Sequence, residues 1–399
     1  MDAIYLDNNA TTRVDPAVLA EMLPYFTEQF GNPSSIHSFG SKVGEKIRWA
    51  RAQVQALLGA AHDTEIVFTS GGTESDSTAI LSALKAYPER REIITSRVEH
   101  PAVLTLCQYL EKHEGYRVHY IGVDAKGRLD VAAYDRALSE NVAVVSIMYA
   151  NNETGTIFPV EALAERAKKY GILFHTDAVQ AVGKIPLDLA HSDIDMLSLS
   201  SHKLHGPKGI GALYLKRGAK FRPLFRGGHQ ERGRRAGTEN TTGIIGLGKA
   251  AELALAAMET ENTQVKALRD RLEQGILSQV SHAFVTGDVE HRLPNTSNIA
   301  FEYVEGEAIL LMLNRAAIAA SAGSACTSGS LEPSHVMMAM DIPFTAAHGT
   351  IRFSLSRENT LEEIDRVVAE VPAIIARLRT MSPYWRKDGT TGEFTPAYS

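Results

Sequence analysis

The chain has 399 residues with 41 Lys and Arg against 47 Asp and Glu, a formal net charge of -6, so its surface is not built to coat a nucleic acid. That length supports two or three domains with a sizeable core, and the two cysteines, Cys107 and Cys326, supply neither a disulfide framework nor a cysteine-based zinc motif. The opening MDAIYLDNNATTRVDP carries acid where a secretion signal carries base, and no later stretch has the apolar length of a membrane span, so a reducing cytoplasm is the expected location.

Asp15 and Pro16 are expected to be an N-cap and first helical position, opening a helix through VLAEMLPYF. Helical spacing runs from Ser41 to Leu58, with Gly59 as a C-terminal stop. EIVFTS (65–70) reads as a strand before the helical ESDSTAILSALKA, and REIITS (91–96) as a strand before a helix opening at Pro101. RVHYIGV (117–123), VAVVSIMY (142–149), ILFHTD (172–177) and MLSLSS (196–201) continue the series, with helices over about 130–139 and 159–170. Strands alternating with helices predict an α/β fold, a mainly parallel sheet covered on both faces.

The last third changes character. A long helical region over about 240–280 precedes NIAFEY, a helix around Gly306–Arg315, a tract of small residues (320–330), IRFSLS and a final helix near 360–379. These elements predict a smaller α+β domain. The expected division is 16–262 for the large domain, 1–15 with 263–380 for the small one, and 381–399 as a flexible polar tail.

In an open parallel sheet, ligands bind beyond the carboxyl ends of the strands, so the polar residues there carry the functional signal. GGTES follows EIVFTS and offers the free N–H groups of a helix start to a phosphate, although Thr73 in a simple capping turn accounts for the same letters. His100 follows REIITS, Asn151 and Asn152 follow VAVVSIMY, and Asp177 closes ILFHTD with Gln180 just beyond. MLSLSS delivers Ser200, His202 and Lys203. A phosphate cradle, an acid, a histidine and a lysine at different strand ends match pyridoxal 5′-phosphate, which needs a lysine for its Schiff base and a carboxylate for its ring nitrogen. Lys203 stands at its strand end, whereas Lys208 lies past the turn and reads as structural.

Other motifs argue for less. GIIGLGKA (243–250) fits a phosphate-loop spacing but lacks the final hydroxyl, and Gly246 to Ala251 fits a dinucleotide string. Neither follows a strand, and the segment reads as a helix whose small residues permit close packing. The basic ERGRRAGT (231–238) reads as a solvated loop or local anion site, and Cys107 in AVLTLCQYL as an apolar filler. Cys326 differs, because SAGSACTSGSLEP has no bulky anchor and its thiol reads as a nucleophile that can travel.

In order and across nearly the whole chain, YLDNNATT, SGGTESDS, VEHPAV, ANNETG, TDAVQAVGK, SSHKLHGPKGIGALY, GGHQERGRRAGTEN, GSACTSGSLEPSHV and GTIRFSLSR resemble the cysteine desulfurases. These belong to the class V aminotransferase branch of fold-type I pyridoxal phosphate enzymes, and the cysteine-bearing segment resembles group I of the nitrogen-fixation type. The resemblance implies a seven-stranded, mainly parallel sheet in the large domain. It also implies that Lys203 carries the cofactor, Asp177 pairs with its ring nitrogen, Gln180 contacts its ring hydroxyl, and His100 stacks on the ring and moves protons.

By the same resemblance, Gly72, Thr73, Ser200 and His202 hold the phosphate, Thr238 reaches the phosphate in the other subunit of a homodimer, and Asn152 lies beside ring and substrate. Arg352 grips the substrate carboxylate in a two-pronged pair that lysine cannot copy. The implied reaction converts L-cysteine to L-alanine and leaves a persulfide on Cys326 for an iron–sulfur scaffold, with nitrogenase maturation as one destination. No intrinsic metal is implied; Cys326 contacts a nascent iron–sulfur cluster only in passing, and neither nucleic acid nor membrane is a partner. The alternatives are another pyridoxal enzyme of this fold, an aminotransferase or selenocysteine lyase, and, in a different class, a nucleotide-binding protein using Gly243–Ala251.

Overall fold

A computed structural model describes residues 3–322, 333–383, 385–387 and 394–396. Its centre is a sheet of seven strands, which in spatial order are 66–69, 211–215, 196–200, 173–177, 142–146, 92–96 and 117–121. Neighbours run parallel except on either side of Gly211–Leu215, which is antiparallel to both. The runs at 142–146, 173–177, 196–200 and 211–215 are buried along their whole length, which is what burial on both faces requires of a strand. The sequence reading located six of these strands one by one; the seventh lies behind a glycine-rich turn.

Helices cover both faces. Ser38–Leu58 packs on Thr241–Ala256, and Gly59 ends the first of these with a left-handed φ of 58°, as expected of a glycine stop. A Cβ on Gly248 would lie 2.5 Å from the backbone of Ala50, so the small residues of GIIGLGKA let two helices touch. The segment lies inside a helix and forms no phosphate loop, which removes the structural basis of the nucleotide reading. The N-terminal helix expected through VLAEMLPYF divides at Leu23, because Pro24 begins a new short turn of helix. The region expected to be helical over about 240–280 is also interrupted, by a π-helical turn at Glu261–Val265.

A second core surrounds a three-stranded antiparallel sheet in which Thr296–Phe301 lies between Ala283–Val285 and Thr350–Ser354. Helices Lys266–Leu277, Gly306–Arg315 and Leu361–Met381 enclose it, the last opened by a capping box between Thr360 and Glu363. Within 381–399, Trp385–Lys387 pairs with Phe394–Pro396, and Trp385 stacks on Arg379. Among the described residues, no helix is long and apolar enough to cross a membrane.

One irregular segment ties these parts together. Ile4–Tyr5 pairs with Ile318–Ala319, Asn8 N–H donates to the Ser354 carbonyl at 3.1 Å, and Thr12 N–H donates to the His202 carbonyl at 2.9 Å. Residues 7–12 therefore form a strap from the small sheet to the turn that carries Lys203.

Candidate active site

At the carboxyl ends of the central strands lies a cavity of about 470 Å³. Lys203 enters it from the turn after 196–200; its Nζ donates to the carbonyls of Asn9 and, at 2.7 Å, Ala10. Lys208 is exposed and does not line the cavity.

Asp177 closes strand 173–177 and is 6% exposed, with one carboxylate oxygen accepting from Val179 N–H at 2.9 Å. Burial raises its pKa, while the Val179 hydrogen bond and the charges of His100 and Lys203 oppose that rise. His100 caps the helix Pro101–Glu114, its Nδ1 accepting from Ala102 N–H at 3.1 Å. Burial lowers its pKa; in the neutral ring that results, an accepting Nδ1 leaves the proton on Nε2.

Opposite Lys203 the 15-residue helix Gly72–Ala86 begins without a side-chain cap. Gly72 and Thr73 line the cavity there beside Ser200 and His202. A Cβ on Gly72 would meet Val179 at 3.0 Å, so a glycine leaves this helix start open to a ligand. Its first N–H groups and the positive end of its dipole suit an anion. His202 is pulled down to about 4 by burial and by its lysine neighbours, and serves as a neutral donor or acceptor.

From the small sheet comes Arg352, 3% exposed, donating to the Asn152 carbonyl at 3.0 Å and to Asp7 at 2.7 Å. Asn152 and Arg352 both line the cavity, as does Gln180. Thr238 does not; it is exposed, on the loop beyond Arg235. Cys326 lies outside the described residues, but Pro333, Ser334 and His335, just after its segment, line the cavity. Cys107 is fully buried, its thiol pushed up to about 12 by burial, as befits an apolar filler. Two of the three arginines of ERGRRAGT are committed to protein partners: Arg235 pairs with Glu74, and Arg234 donates to the Thr64 carbonyl, while Arg232 is exposed.

Several contributors escaped the sequence reading. Asn9 supplies the carbonyl that Lys203 reaches, and its side chain bonds Thr296 at 2.9 Å. Glu99, wholly buried, accepts from Ser96 and Met148 and is raised to about 8 by burial. Asp76 and His335 also line the cavity. Of these, only Asp76 carried a local signal, an acid one turn into the helix of GGTESDS.

A family model for class-V aminotransferases matches residues 4–367. The chain belongs to this family, among its cysteine desulfurases. It is 68% identical over its full length to a cysteine desulfurase of Gluconacetobacter diazotrophicus and to the cysteine desulfurase NifS of Azotobacter vinelandii, each also covered in full. Among solved structures, a NifS-like protein superimposes with a TM-score of 0.88 at 38% identity, covering 94% of this chain and 100% of the other. The structure of SspA in complex with cysteine matches with a TM-score of 0.79 at 35% identity over 90% of this chain and all of that one. The α/β fold and the desulfurase reading made from the sequence are thus borne out.

Proposed function

We propose that this chain takes sulfur from L-cysteine with pyridoxal 5′-phosphate held by Lys203, releases L-alanine and stores the sulfur on Cys326. The observation that carries this reading is the convergence of Lys203, buried Asp177 and the uncapped start of Gly72–Ala86 on one cavity. Those groups fit the cofactor: an amine for its aldehyde, a carboxylate for its ring nitrogen, and backbone donors with Ser200 and His202 for its phosphate. When bound, the cofactor supplies an electron sink that lets the substrate α-carbon lose its proton.

The chain's own residues do the rest. Arg352 takes the substrate carboxylate on its two-pronged guanidinium, with Asn152 beside it. Lys203 would hold the cofactor's aldehyde, and its amine, when free, would remove and return a proton; the Nε2–H of His100 is a donor within the same cavity. Asp177, enclosed in the cavity wall, would pair with the cofactor's ring nitrogen and favour its protonated form. The Cys326 thiolate attacks the substrate sulfur; an S–S bond forms, and the C–S pair stays with carbon, which takes up a proton to become alanine. No external oxidant or reductant is needed.

The exposed Thr238 suits a homodimer in which it reaches the neighbouring site, and an iron–sulfur scaffold is the acceptor that a carried persulfide fits. We also place the protein in the cytoplasm and the domain boundary at 262, within the π-helical turn. Borohydride reduction followed by peptide mapping tests the reading: a pyridoxyl group on Lys203 is expected, and its absence there would overturn it.

A further inference from the structure

A second lysine lies behind the cavity wall. Gly183, with φ of 77°, turns the chain so that Lys184 re-enters the protein and is only 6% exposed. Its amine donates to Gln180 Oε1 at 3.0 Å and to Asn9 Oδ1 at 3.1 Å, while Gln180 Nε2 donates to the Asn9 carbonyl at 2.9 Å.

We propose that Lys184 is a positioning residue that pins the carboxamide of Gln180 with its N–H edge toward the cavity. The inference rests on reading that cavity as the pyridoxal phosphate site. A backbone carbonyl only accepts, so the edge of Gln180 facing Asn9 must be nitrogen, and the edge facing Lys184 oxygen. Turned over, the amide would set oxygen against oxygen and NH₂ against the amine. One hydrogen of Nε2 is used by Asn9; the other has no acceptor among the described residues and is available to an oxygen on a ligand's ring.

The loss of Lys184 would fall on Gln180 in particular. Asn9 Oδ1 keeps a donor in Asn295 Nδ2 at 3.0 Å, whereas Gln180 Oε1 has no other among the described residues. Burial pulls Lys184 down to about 7, with the Lys203 charge adding to the fall and Glu261 opposing it. The titratable and charged groups bearing on this corner are Lys203, Asp177, Arg352, His205, Glu261 and Arg357.

The test is the visible absorbance of cofactor-loaded protein against pH, for the unsubstituted chain, Lys184→Met, Gln180→Leu and the double variant. A donor lost from the ring oxygen lets that oxygen hold its proton more firmly, so Lys184→Met should raise the spectral midpoint by about one pH unit, the worth of one hydrogen bond. Gln180→Leu should do the same, and Lys184→Met should add nothing in that background. An unchanged midpoint in Lys184→Met, or an equal shift in both backgrounds, would overturn the proposal. If Lys184→Met does not fold, Lys184→Leu, which also lacks a donor, is read by the same criteria. An unsubstituted chain with no visible band would instead overturn the proposed function.

Discussion

The two walls of the cavity are built on different principles. The wall from the large sheet sets each polar group at the end of its own strand: His100 after 92–96, Asp177 at the end of 173–177, and Lys203 after 196–200. The wall from residues 7–12 has no regular element, and is held by bonds to residues far away in sequence, Ser354, Thr296 and His202. Strand ends fix groups through their own ladders. A strap fixes them only while its distant partners stay in place, so its substitutions should disturb stability and geometry together.

Lys203→Ala removes the amine on which the sheet wall converges, and desulfuration should fall by about a thousandfold or more. Alanine release measured with L-cysteine checks this, and a fall under tenfold would break the claim that the strand-end lysine leads the chemistry. Asn9→Ala tests the strap. Its side chain bonds Thr296, receives from Asn295 and Lys184, and reaches the Asn152 carbonyl, so its removal should destabilise the protein by about 2–3 kcal/mol. Denaturant unfolding measures that loss, and a change under about 0.5 kcal/mol would show the strap to be passive.

Residues that the local rules expose were legible in the sequence. Apolar β-rich runs marked six central strands, and the strand-end principle selected Asp177, Lys203 and His100, which do share one cavity. Gly211–Leu215 was not singled out because its pairing depends on Gly211, where a Cβ would lie 2.5 Å from the Leu199 carbonyl oxygen, a contact no local pattern reports. Asn9 reads as a turn former, and Lys184 as a surface charge after a glycine. Only long-range burial makes either of them part of the site. Asp15 was simpler, since a cap bonds to its own helix.

Glu99 sharpens the comparison from the sheet side. Its folded pKa of about 8 lies above its ordinary value of 4.5, so the folded state holds the extra proton between them. The stability this contributes is fully present below about pH 4.5 and is lost as pH rises through 8. Glu99→Gln should therefore flatten the decline in melting temperature between about pH 4.5 and 8, and an unchanged decline would exclude Glu99 as its source. The smallest effect is expected at Cys107. Cys107→Ala should cost about 1–2 kcal/mol through a small cavity and leave desulfuration unchanged, because the thiol is buried and protonated. A large loss of sulfur transfer in that variant would break the assignment of the nucleophile to Cys326.

The central claim is that sulfur passes from L-cysteine to one thiol of this chain. Incubation of the cofactor-loaded protein with L-cysteine, followed by mass spectrometry of its two cysteine-bearing peptides, tests it most directly. The account predicts one added sulfur atom on the Cys326 peptide, none on the Cys107 peptide, and alanine formed in matching amount. Alanine released with no sulfur gained at Cys326 would contradict it.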